Sequence, residues 1–171
     1  HFQWNQEGTK AFLHVNSLGY HEVYLNGKKV GDAVLAPAVS QFDKRSLSVT
    51  YDVTDLLEKG ENDFVLWLGK GWYQDGLPGV VNGPFVRAQL EEFENGEWRT
   101  SLITDSTWKT RESGYASTGT WRPWQFGGEE ISADRLLPAL DRKTLNSVDW
   151  NPAVLADIPL HKVSPQMVEL N

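Results

Sequence analysis

Strand-length runs separated by strong turn signals recur along this chain, and that punctuation limits the fold more than any other feature. Residues 11–15 (Ala-Phe-Leu-His-Val) are mostly apolar, and 20–25 (Tyr-His-Glu-Val-Tyr-Leu) run straight into Asn26-Gly27. That dipeptide is the strongest short hairpin signal, because a type I′ turn needs positive φ at both central positions. The return strand starts at Lys28-Lys29-Val30-Gly31. Residues 46–51 (Ser-Leu-Ser-Val-Thr-Tyr) alternate with the period of two expected of a half-buried strand. Residues 63–68 (Asp-Phe-Val-Leu-Trp-Leu) read as a central strand buried on both sides. Residues 85–93 turn at Glu94-Asn95-Gly96 into 98–103, a second hairpin, and 107–111 add a short strand. Helix signals are confined to 52–60, where Asp52 or Thr54 can cap a single turn and Gly60 stop it, and to 129–135, a turn or short strand. Regularly spaced strands without long helices predict an all-β antiparallel sandwich with one or two short helical turns. Residues 1–160 form the predicted domain; the Pro-punctuated, extended stretch 151–171 reads as a closing strand followed, over 161–171, by the start of a connection to another module.

Composition narrows the function. A 171-residue chain can bury a sizeable core. With no cysteine, disulfide stapling, thiol catalysis and cysteine-bound zinc are excluded. The net charge of −7 is scattered and no basic stripe is present, which argues against nucleic acid. No apolar run approaches the roughly 18 residues of a membrane helix, and no membrane partner is expected. The chain starts at His1 rather than Met, which predicts a processed or excised piece. Eight Trp and five Tyr suit a β-protein with a sugar-contacting surface.

The chemistry-bearing candidates are few. Trp72-Tyr73, flanked by Gly71, can stack on the apolar C–H face of a pyranose, with Asp75 or Asn82 hydrogen-bonding its hydroxyls. The competing reading buries Trp72 under the sheet edge or against another domain. Trp121-Arg122-Pro123-Trp124 forms a second aromatic cluster, an exposed platform or, as its Trp and Arg favour, a domain interface. Asp32, Asp43, Asp52 and Asp55, with the carbonyls of 82–84, raise the possibility of calcium, but no loop has the dense Asp/Asn spacing such a site uses, and Asp52 and Asp55 read better as turn and cap residues. His14, His21 and His161 lie far apart in strand-like contexts. Glu91 and Glu92 neighbour each other on a strand and must face opposite ways, so they form no acid–base pair. No G-x-S-x-G, phosphate-binding or dinucleotide motif occurs, and no catalytic residue is assigned.

Two stretches go beyond generic β patterning. Leu18 to Asp32, with Tyr24-Leu25-Asn26-Gly27-Lys28-Lys29-Val30-Gly31-Asp32 at its end, leads to Leu35-Ala36-Pro37 and on to Tyr51-Asp52-Val53-Thr54-Asp55-Leu56-Leu57. The second is Leu68-Gly69-Lys70-Gly71-Trp72-Tyr73. Together they resemble the N-terminal β-sandwich accessory domain of bacterial α-L-rhamnosidases of glycoside hydrolase family 78, and the resemblance implies a jelly-roll, galactose-binding-like sandwich. Residues 126–135 and 148–153 and the stretch Ser164-Pro165-Gln166-Met167 fit the same pattern, so the resemblance covers roughly 9–167. The chain departs from it at Ala38-Val39-Ser40, where an aromatic is usual, and in a shorter, less polar 74–84 loop.

The resemblance implies an extracytoplasmic bacterial enzyme that hydrolyses terminal α-L-rhamnose with inversion. Two carboxylates would work across the scissile bond in a downstream (α/α)₆ barrel. This module would then be a non-catalytic buttress for that domain. An autonomous binding module for rhamnose or a galactose-like sugar, or the matching domain of a family 2-type glycosidase, are the alternatives.

Overall fold

The computed structural model describes residues 1–5, 9–73, 83–119, 127–158 and 162–167. Its strands are β1 (Phe2–Trp4), β2 (Lys10–Leu18), β3 (Tyr20–Leu25), β4 (Lys28–Lys29), β5 (Arg45–Asp52), β6 (Gly60–Asn62) and β7 (Phe64–Gly69). They continue with β8 (Phe85–Glu94), β9 (Glu97–Ile103), β10 (Lys109–Thr110), β11 (Tyr115–Thr118), β12 (Gly128–Ile131), β13 (Asn151–Pro152) and β14 (Lys162–Pro165). Helical structure among the described residues is limited to 3-10 turns at Thr54–Leu56 and Ala133–Arg135 and one α-turn, α1 (Arg142–Leu145).

Two sheets form the sandwich. One has the order β14-β5-β2-β8-β9, the other β4-β3-β7. Alternation decides which residues meet between them. On β2, Ala11, Leu13 and Val15 point inward and are buried, while Phe12, His14 and Asn16 take the opposite face. Leu13 lies opposite Leu90 and Val15 opposite Ala88, so β8 completes the same inner surface. Val23, Leu25 and Val30 from the smaller sheet close the core against them. Both hairpin dipeptides behave as their chemistry requires, with φ values of 50° and 77° at Asn26-Gly27 and 54° and 87° at Asn95-Gly96.

Three expectations change. Residues 64–69 are an edge strand of the smaller sheet, not a central one. Its residues up to Leu68 are half buried, with Trp108 packed at a steep angle on Phe64 and Tyr115 leaning on Trp67. The sandwich is not wholly antiparallel: β14 pairs parallel to β5, Lys162 opposite Arg45. The closing strand expected within 151–171 is β14, an edge strand of the larger sheet that falls inside the stretch assigned to the connection. Third, 107–111 shrink to the two residues of β10, whose partner is β13.

Asn62 and Asp63, two buried polar residues, are paired in a network. Asn62 is fully buried. Its amide nitrogen donates to the carbonyls of Glu58 (2.6 Å) and Gly60 (3.1 Å), and its oxygen accepts from Glu58 N–H (2.9 Å) and Asn26 Nδ2 (2.8 Å). The adjacent Asp63, also buried, accepts from Arg142 Nε (2.8 Å) and pairs with His1. Arg142 also donates to the Glu61 carbonyl (2.6 Å), so α1 is buckled onto the β6–β7 corner. Asp141 caps α1 by accepting from Thr144 N–H (2.8 Å), and that bond holds its carboxyl below the ordinary value.

Candidate functional site

The aromatic turn at the end of β7 is built from three constraints. Tyr73 N–H donates to Lys70 O (3.0 Å), which closes residues 70–73 into a tight turn. Gly71 sits at φ 52°, and a Cβ there would overlap the Tyr20 ring beneath it, so the turn can ride on that ring only with glycine in place. Gly83 makes a similar allowance, since a Cβ on it would stand 2.8 Å from Tyr73 Cε1.

The two adjacent aromatics then go opposite ways. Tyr73 is 2% exposed. Its ring is edge-on to Phe42 (5.3 Å, 88°) and to Phe85 (6.1 Å, 82°). A ring so enclosed offers no face to a sugar; it anchors the turn. Trp72 is 62% exposed and hydrogen-bonds the Tyr20 side chain. Burial raises the Tyr20 phenol above its usual value, with the Trp72 bond opposing, so Tyr20 stays protonated at neutral pH. Trp72 is thus an open indole on a rigid turn. Asp75 and Asn82, expected beside it, lie outside the described residues, as do the interface candidates Trp121, Arg122 and Trp124, and His161.

Among the remaining candidates, Asp52, His14 and His21 have structural partners. Asp52 Oδ1 accepts from Thr54 N–H (3.0 Å), and the Thr54 bonds hold its carboxyl below the ordinary value: a turn residue, as expected. Among the described residues no three His, Asp or Glu side chains converge as metal ligands. His14 bonds Thr50 Oγ1 (2.9 Å) and Glu91 Oε2 (3.2 Å) on the outer face of the larger sheet.

His21 lies between the sheets. Its Nδ1 is 2.7 Å from Ser17 Oγ and its Nε2 is 3.0 Å from Tyr51 Oη. Ser17 Oγ in turn donates to Gly19 O (3.1 Å), which makes it the acceptor for an Nδ1–H tautomer and leaves Tyr51 donating to Nε2. Every polar atom in that chain is satisfied by a neutral ring. Burial pushes the His21 pKa down to about 4; burial, with a smaller push from the Glu22 charge, lifts Tyr51 to about 12.

Two features escaped sequence reasoning. Tyr24, Trp67 and Tyr115 form a tilted stack outside the smaller sheet, at 6.4 and 5.7 Å between centroids. A cleft of about 430 Å³ opens between β7, β10 and the residues after α1, and Phe64, Trp108, Asn146 and Trp150 help to line it. Both indole N–H groups there are committed to backbone carbonyls, Trp108 to Ile103 and Trp150 to Leu145, each at 2.9 Å. The cleft's buried acid, Asp63, is already paired with Arg142. No local motif marks either feature, because each gathers residues far apart in the chain.

Two packed sheets carrying an aromatic turn at one end define an all-β sandwich module. The chain belongs to the alpha-L-rhamnosidase N-terminal domain family, whose sequence model matches residues 6–170. Two alpha-L-rhamnosidases of Formosa agariphila are similar to it. One is 36% identical over 116 residues (61% of this chain, 12% of that protein), the other 31% identical over 155 residues (87% and 16%). The solved alpha-L-rhamnosidase from Dictyoglumus thermophilum superposes with a TM-score of 0.78 at 23% identity, over 97% of this chain and 18% of that one. The chain therefore spans less than a fifth of the length of each of these relatives.

Proposed function

We propose that this chain is an accessory module of a multidomain α-L-rhamnosidase, which acts outside the cytoplasm to release terminal α-L-rhamnose from glycans or glycosides. Bond cleavage belongs to the rest of the parent, and this module supports the catalytic domain. The observation that carries this reading is the family match across residues 6–170, combined with the small share of each relative that the chain spans. The described carboxylates fit it: Asp63, Glu91 and Asp52 hold Arg142, His14 and Thr54 rather than a reacting bond. The test compares the 171-residue chain with the parent-length protein on an aryl α-L-rhamnoside. The parent should release the aryl alcohol and the chain alone should not. Release by the chain itself would overturn the reading.

One observation favours a second role, that of sugar binding: Trp72 stands exposed on a turn locked by Gly71 and Tyr73. Flat indole faces suit the C–H face of a pyranose. Calorimetric titration with L-rhamnose, with and without calcium, would then give saturable binding that Trp72→Ala removes. Absence of heat in both conditions would leave the module a buttress only.

A further inference from the structure

Five exposed apolar side chains lie on the 33–44 loop, which runs from the smaller sheet to β5, and on or just after β14, to which the loop is tied. They are Val34 (67% exposed), Leu35 (59%), Val39 (54%), Val163 (52%) and Met167 (86%). Two hydrogen bonds fix the neighbourhood. Ala38 N–H donates to Gln166 Oε1 at 2.8 Å, tying the loop to the far end of β14. Ser40 Oγ donates to Arg45 O at 2.9 Å, and Arg45 lies opposite Lys162 at the start of β14. Val39 is thus held between two anchor points, alongside the strand that carries Val163 and leads to Met167. His21 pairs with Ala36, which pins the loop's other end to β3.

The loop is built to present these residues. Leu35 adopts φ 60°, a left-handed conformation that L-residues other than Gly, Asn and Asp seldom take. That conformation costs about 1 kcal/mol, yet the side chain it displays points into water and contributes little to the core. A strained backbone that exposes an aliphatic side chain, on a loop that exposes two more and is tied to the end of β14, marks a surface meant to be covered.

Resting on the reading that this chain is one module of a longer protein, we infer that this edge docks the part of the parent that follows the module. The occupant is argued from chain geometry. The relatives are more than five times longer than this chain, the matching family is an N-terminal domain, and β14 delivers the chain to Met167 at this same patch. The segment that follows therefore starts beside the exposed apolar side chains and can cover them without a long linker. The aromatic group Phe12, Phe93 and Trp98 is the competing surface. It spans β2, β8 and β9 of the larger sheet, two to four strands from β14, and lacks that continuity.

The chain has no cysteine, so single reporters can be introduced cleanly. Leu35→Cys and Val39→Cys report on this edge, and Arg99→Cys on the exposed β9 edge serves as reference. Each is alkylated in the 171-residue chain, checked by circular dichroism for a native fold, and in the parent-length protein, with the modified peptide quantified by mass spectrometry. Residues 35 and 39 should react at least tenfold more slowly in the parent than in the free chain, while residue 99 reacts equally in both. Equal rates at 35 and 39 in the two proteins would overturn the inference. So would protection in the free chain that grows with its concentration, which assigns the edge to a second copy, or protection that appears only on adding L-rhamnose, which assigns it to sugar. A parent inactive on the aryl rhamnoside would sink the functional reading while leaving the labelling contrast to decide the docking surface.

Discussion

Acidification from pH 7 to pH 4 should cost this sandwich about 3 kcal/mol through His21 alone. The ring is 2% exposed and its pKa in the fold is about 4, against an ordinary value of 6.5. Above pH 7 both folded and unfolded chains carry the neutral ring, and the full contribution is present. As the pH falls through 6.5 the unfolded chain takes up a proton that the folded one refuses, so stability drops. At about 1.4 kcal/mol per unit, roughly 2 kcal/mol is gone by pH 5 and about 3 kcal/mol by pH 4. With a urea slope of about 2 kcal/mol/M, the latter loss lowers the unfolding midpoint by about 1.5 M. Tryptophan fluorescence across a urea series at pH 7, 5 and 4 measures it. His21→Gln serves as the reference that removes the titrating ring while other groups titrate as before. The difference between the two proteins' pH dependences isolates His21, and proton NMR gives its pKa directly. A His21 signal titrating near 6.5 in the folded protein, or parallel midpoints for the two proteins from pH 7 to 4, would refute the argument.

Other substitutions probe the rest of the scaffold. Tyr73→Ala should cost about 3–5 kcal/mol in chemical denaturation, whereas Trp72→Ala, on the same turn but exposed, should stay within about 0.5 kcal/mol. Gly71→Ala should lose about 1–2 kcal/mol from its left-handed backbone alone, with more from overlap with Tyr20, read as a lowered melting temperature. Asn62→Ala strands four hydrogen-bond partners around Glu58, Gly60 and Asn26 and should cost about 3 kcal/mol in the same melt. Arg142→Ala releases α1 from Asp63 and Glu61, and limited proteolysis should then cut near 142–150 before the rest of the chain.

What sequence alone determined here is local. Asn26-Gly27 and Asn95-Gly96 set their turns because positive φ is a property of those residues, and the period-two alternation of residues 46–51 marked a strand before any partner was known. The rhamnosidase-type motifs likewise lie on contiguous segments, so the family was readable from them. Tertiary structure decided whatever depends on partners distant in the chain. That β14 pairs parallel to β5, and that β10 finds β13, was settled only by where the chain brings those partners. The same holds for the candidate site. Trp72 and Tyr73 are neighbours of equal aromatic character, and only the positions of Phe42, Phe85 and Tyr20 send one ring inside and leave the other in water. Burial is a property of the packed neighbourhood, not of the residue, and a sequence lists residues without their neighbourhoods.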